Sequence, residues 1–255
     1  MSSNRPLADF LRSRRSRIEP GDADASGRKR RTPGLKREEV AQRAGISTEW
    51  YVKLEQGRAG SPSAATVEAL GRALCLSDTD REHLRALASA NGRRPFRRET
   101  VPDTLHRIVA RLGEPAYVTG RRFDVLVWND AAAALFPDMM TLQAEDRNVL
   151  SWMLTEPAAR DLFGPTWENE ARRIVSLFRA SYDLWPGDSS FAELVTRMRA
   201  GSPSFEAWWA EHGIGAPLSG TKVLRHPTLG ETHYAHASFQ TNDDPSLRLA
   251  LYTRC

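Results

Sequence analysis

The chain has only two cysteines, Cys75 inside a helical pattern and Cys255 as its last residue. They make no metal-ligand spacing and no disulfide framework, which fits a reducing cytosol. No run approaches the roughly 18 apolar residues of a membrane helix. The opening MSSNRPLADFLRSRRSR has no apolar export core, so a cytoplasmic location is expected. Catalytic signatures are missing as well: there is no GxSxG, HExxH, Walker A or EF-hand loop. GIGAPL at 213–218 lacks the last glycine of a dinucleotide fingerprint and follows a helical pattern rather than a strand. His226, His233 and His236 stand close together, but the last two are three apart on a strand pattern and face opposite sides. These absences speak against an enzyme, a cofactor and a bound metal.

What is present is divided unevenly. The first 99 residues carry 21 Lys and Arg against 13 Asp and Glu, and the remainder carries 15 against 19. A basic first part suits a polyanion, and an acidic second part does not. Six of the seven tryptophans lie beyond residue 100. With 40% hydrophobic residues both parts can bury a core, and 255 residues suit one large domain or two ordinary ones.

Apolar spacing predicts helices over 6–18, 36–44, 48–56, 64–75 and about 78–90. Ser63 and Ser77 stand where N-caps are needed. Residues 19–34 read as a loop carrying the basic run Arg28-Lys29-Arg30-Arg31. A five-helix unit over 1–92 and a linker over 93–102 are expected. Over 103–255 the pattern is mixed: a helix at 103–112, strands at 116–119 and 123–128, helical segments from 129 to 212, then strands near 221–226, 231–239 and 247–253. That order predicts an α+β domain, one antiparallel sheet with a helical insert and its helices on one face.

The densest motif is AGISTEWYVKLEQG at 44–57. Val40, Ala44, Ile46, Tyr51 and Leu54 occupy the positions that two helices crossing at a wide angle must bury. Ala41 is small where the helices come closest. Gly45 stands where the chain needs the left-handed conformation. Thr48, Glu49, Trp50 and Lys53 are then left on the outer, N-terminal part of the second helix, the part that faces base edges in a helix-turn-helix. Ser47 caps that helix, whose N-terminus can meet a phosphate. A generic helical hairpin would explain Val40, Leu54 and Gly45, but not a fully matched unit in a basic five-helix domain.

Residues 7–90 resemble an XRE-type domain of the lambda-repressor-like group. RRTPGLKREEVAQRAGISTEWYVKLEQGR, followed by Pro62-Ser63 and VEALGRALCLSDTDREHLRALA, resembles more specifically the MmyB-like transcription regulators of actinobacteria. The similarity continues in VTGRRFDVLVWNDAAAALF, LSWMLTEPAARDLF, SPSFEAWWAEHGI and LRHPTLGETHYAHASF. The resemblance implies base contacts from Thr48, Glu49 and Lys53, and phosphate contacts from Ser47, Arg37 and Arg58. Arg37 stands where such domains usually carry a glutamine. Glu49 can accept from a cytosine amino group and Lys53 can donate to guanine. For Trp50, packing and DNA contact both remain open. For Arg28 to Arg31 the choices are a solvated loop, a phosphate contact or a minor-groove arm.

The resemblance also implies a C-terminal PAS-like ligand-binding domain, with a fatty acid as the known type of occupant. Trp128, Phe136, Trp152 and Phe178 are among the bulky residues that could line an apolar tunnel. Tyr117, Arg122, Tyr234 and His236 are the candidates for holding a carboxylate at its mouth. The expected protein is a DNA-binding regulator that senses a small apolar ligand and works as a homodimer on a two-fold operator. The competing reading makes the second domain a dimerisation or protein-interaction module without a ligand.

Overall fold

In the computed structural model the described residues are 4–18, 34–89, 96–215 and 219–255. The basic run from Arg28 to Arg31 lies outside them. The chain divides into two compact units, Met1–Arg94 with Asp183–Pro186, and Pro95–Tyr182 with Gly187–Cys255.

The first unit contains five α-helices among the described residues: α1 (Arg5–Arg17), α2 (Arg37–Ala44), α3 (Thr48–Glu55), α4 (Ala64–Ala73) and α5 (Asp78–Ala88). Serine caps open three of them. Ser47, Ser63 and Ser77 each accept from the backbone N–H three residues on, at 3.2 Å, which satisfies one donor that a helix start leaves open. Leu11, Val40, Tyr51, Leu70, Leu84 and Leu87 are fully buried and form the core that these helices share. Each such aliphatic side chain contributes about 1.5–3 kcal/mol by leaving water.

The second unit begins with α6 (Asp103–Arg111), β1 (Ala116–Thr119) and β2 (Val125–Trp128). Seven further helices follow: α7 (Asp130–Leu135), α8 (Pro137–Thr141), α9 (Val149–Thr155), α10 (Pro157–Phe163), α11 (Trp167–Tyr182), α12 (Ser189–Gly201) and α13 (Pro203–Ala210). The chain then returns through β3 (Gly220–His226), β4 (Gly230–Gln240) and β5 (Arg248–Arg254). The five strands form one antiparallel sheet in the order β2-β1-β5-β4-β3, so the last strand in sequence lies beside the first. Thus the architecture is an all-α unit followed by an α+β unit with a helical insert, as the patterns predict.

The placement of helices on one face needs correction. Residues Val101 and Val109, with Leu105 of α6, pack with Ala116, Val118, Val127, Leu249 and Leu251. These strand residues point away from the helical insert, so α6 covers the second face of β1 and its neighbours. All four residues of β1 are consequently buried, the pattern of a strand covered on both sides.

Two buried asparagines tie the sheet to the insert. The Asn129 side chain accepts from the N–H groups of Ala116 and Ala132 and donates to the carbonyls of Leu112 and Glu114. Asn148 caps α9 and donates to the Arg122 carbonyl at 2.7 Å and to Asp124 at 3.0 Å. His226 fixes the β3–β4 hairpin: its Nδ1 accepts from the N–H groups of Thr228 and Leu229, and its Nε2 lies 3.0 Å from the Ala134 carbonyl.

Candidate functional site

The α2–α3 turn is built as a helix end that reverses cleanly. Gly45 has φ +66° and ψ +32°, its N–H meets the Gln42 carbonyl, and the Ile46 N–H meets that of Ala41. This paired closure needs a left-handed residue, which glycine adopts without strain. Val40, Ala44, Tyr51 and Leu54 are buried, and Ile46 is half-buried. Thr48, Glu49 and Lys53 are left exposed on α3, with Trp50 half-buried beside them. Lys53 Nζ lies 2.7 Å from Glu49 Oε1, and the hydrogen bond from Lys53 holds the Glu49 carboxyl below its usual pKa. An exposed pair of this kind is cheap to break, so both side chains remain available to another partner. Ser47 caps the helix, and Arg58 lies exposed just beyond it.

Under this surface is a charge network that apolar spacing does not reveal. Glu55 ends α3 with its side chain fully buried, 2.5 Å from Arg15 Nε and 2.7 Å from Arg37 Nε. Arg15 also donates to the Leu35 carbonyl at 2.8 Å. Burial alone would raise the Glu55 carboxyl, but the two arginine hydrogen bonds outweigh it and its pKa is lowered. Arg37 is thereby fixed at the start of α2 while half of its side chain stays in solvent. One signal could have flagged Glu55: an acid in the last turn opposes the helix dipole, and needs cations to hold it there.

The second unit contains a cavity of about 700 Å³ of atom-free space, part of it open to solvent, between the sheet and the helical insert. Strand alternation decides which side chains reach it. Tyr117 and Thr119 of β1, Arg248, Ala250 and Tyr252 of β5, His236 and Ser238 of β4, and Lys222 of β3 form the sheet wall. The helical wall includes Phe136, Trp152 and Phe163, with Ile174 and Leu177 from α11. The aromatics interlock edge to face: Phe136 lies 5.9 Å from Trp152, 6.0 Å from Tyr117 and 5.2 Å from Tyr252 between ring centres. Such pairs hold a rigid apolar lining.

One side of the cavity is charged. Glu170 Oε2 is 2.5 Å from Lys222 Nζ and 2.9 Å from Arg173 Nη2. Burial depresses the Lys222 ammonium, although the Glu170 hydrogen bond opposes this. Burial, then Lys222 and Arg173, push the His236 imidazole down to about 4. Its Nδ1 and the Trp152 Nε1 are buried and have no hydrogen-bond partner among the described residues. Arg248 is half-buried on the sheet wall, at the opposite end of β5 from the position level with Lys222, with no carboxylate within 4 Å among the described residues.

Of the eight residues singled out for a ligand, Tyr117, Phe136, Trp152 and His236 line this cavity, and the other four do not. Arg122 sits in a separate polar hollow beside Asp124, at 3.3 Å. Trp128 lies 4.2 Å beneath the Arg147 guanidinium. Phe178 packs behind the cavity against Phe191 and Trp209. Tyr234 is buried edge-on against Tyr252. Glu170, Arg173, Lys222 and Arg248 were not anticipated.

A family model described as the MmyB-like transcription regulator ligand binding domain matches residues 101–254. A second, described as a helix-turn-helix domain, matches residues 6–84. Neither describes an enzyme. Among curated proteins, none matches the chain. No helix among the described residues is long and apolar enough to cross a membrane.

Proposed function

The chain belongs to the MmyB-like transcription regulators, and from that premise we propose that it is a cytoplasmic homodimer whose operator affinity is set by a fatty acid or related acyl molecule. Membership makes it a DNA-binding transcription regulator with a ligand-binding domain. The observation that supports an acyl occupant is the cavity: most of its lining is aromatic or aliphatic, and three cations line it as well, Lys222 and Arg248 from the sheet and Arg173 from α11. An alkyl tail fits the first and an acidic head the second.

On the DNA side, Thr48, Glu49 and Lys53 read base edges, Ser47, Arg37 and Arg58 meet phosphates, and Trp50 packs at the rim. One recognition helix spans too few base pairs for a specific address, so two copies on a two-fold site supply the rest. Ligand acts by favouring one of two states that differ in DNA affinity. A difference of about 1–3 kcal/mol changes that affinity roughly 5- to 150-fold.

The test is mass spectrometry of lipid carried through purification by the intact protein, paired with operator binding before and after delipidation. A bound acyl species, and operator affinity that shifts when it is removed, is the expected result. An empty protein whose operator binding ignores added fatty acid would leave the second domain as an assembly module.

A further inference from the structure

Resting on the acyl-ligand reading above, we infer that Arg248 is the residue that holds the ligand's head, and that the head is a carboxylate. Three cations line the cavity: Arg173, Lys222 and Arg248. Two of them already share Glu170, the single carboxylate among the lining residues. Arg248 is left over. It stands at the start of β5, directly opposite Thr119 of β1 and Gln240 of β4. Thr119 and Ser238, two hydroxyl side chains, line the cavity with it.

A half-buried guanidinium without a counter-ion is costly, and an anion relieves the cost. Burial lowers the Arg248 pKa, and the nearby like charge of Arg121 lowers it further. A guanidinium presents parallel N–H groups in a plane, the shape that a carboxylate accepts in two bonds at once. The occupant then runs from the carboxylate at Arg248 and its hydroxyl neighbours to an alkyl tail among Phe136, Trp152 and Phe163.

The experiment is calorimetric titration of the delipidated full-length protein with dodecanoate and with dodecanol, which share a tail and differ in the head. The wild type should bind dodecanoate at least about tenfold more tightly than dodecanol. Arg248→Gln should lose roughly 10- to 100-fold in dodecanoate affinity, with dodecanol unchanged, so that the preference disappears. Arg122→Gln, in the separate hollow, should leave both values alone. If Arg248→Gln folds poorly by its melting curve, Arg248→Lys decides: it keeps the charge, loses the fork, and should reduce the preference severalfold. A preference that survives either folded variant overturns the Arg248 assignment. Equal wild-type affinity for the two compounds overturns the carboxylate head while leaving an acyl occupant in place. Failure of both to bind removes the acyl-ligand reading itself, and this inference with it.

Discussion

Arg37 Nε lies 2.7 Å from Glu55 Oε2, joining the start of the first helix of the motif to the end of the second through a carboxylate that has no solvent exposure. The phosphate-binding candidate is thus oriented by an internal anion. Glu55→Gln should cost about 1–3 kcal/mol of stability in the first unit, since it removes the charge and turns one of the two oxygens that accept from Arg15 and Arg37 into a donor. It should also weaken binding to all DNA sequences alike, because Arg37 is less well held. The Glu55 pKa is lowered on folding, so its stabilisation is complete above the unfolded value of about 4.3 and is lost as pH falls through the lower folded value. Urea unfolding at pH 7 and pH 3 should therefore show the wild type approaching the variant in acid. A gap that stays constant would mean that the charge is unimportant.

Glu49 and Lys53 predict a different signature. Lys53→Ala should relax preference at one base-pair position and leave binding to random DNA nearly unchanged, whereas Arg37→Ala should weaken every sequence and reduce the salt slope by about one phosphate. Selection of bound DNA from a random pool, with titrations at several salt concentrations, separates the two. Identical selected sites for wild type and Lys53→Ala would move the recognition helix elsewhere.

The helix-turn-helix was legible because its signals are local. Gly45, the serine caps and the spacing of Val40, Tyr51 and Leu54 each act within a few residues. The cavity was only half legible. Tyr117, Phe136, Trp152 and His236 could be named as candidates from residue type and family resemblance, yet Phe178 and Trp128 have the same character and pack elsewhere. Strand β5, RLALYTR, is apolar on both phases, so its sequence does not reveal that Arg248, Ala250 and Tyr252 face the cavity while Leu249 and Leu251 face α6. That assignment comes from strand order, in which β5 pairs with β1 across more than a hundred residues. Arg248 was missed for this reason.

Ala250 tests the cavity by volume rather than charge. It lies on the cavity wall between Tyr117 on β1 and Ser238 on β4. Ala250→Leu adds a branched side chain into the space that a tail would occupy. It should abolish dodecanoate binding at a stability cost of about 1–3 kcal/mol from overpacking. Operator binding should become insensitive to added fatty acid but remain measurable. Calorimetry together with a melting curve checks this, and undiminished dodecanoate affinity in a folded variant would place the ligand elsewhere.

His236 provides a pH signature of the same cavity. Its imidazole is pushed down to about 4, by burial first and then by Lys222 and Arg173, with Glu170 opposing. The unfolded value is near 6.5, so the unfolded chain gains a proton between pH 7 and pH 5 that the native protein refuses. Stability must therefore fall over that interval, by about 2 kcal/mol at pH 5. His236→Phe should flatten this part of the profile while leaving the acid-side loss due to Glu55. In the native wild type, the His236 ring resonance, identified by its disappearance in the variant, should stay constant from pH 7 to pH 5 and move only below that.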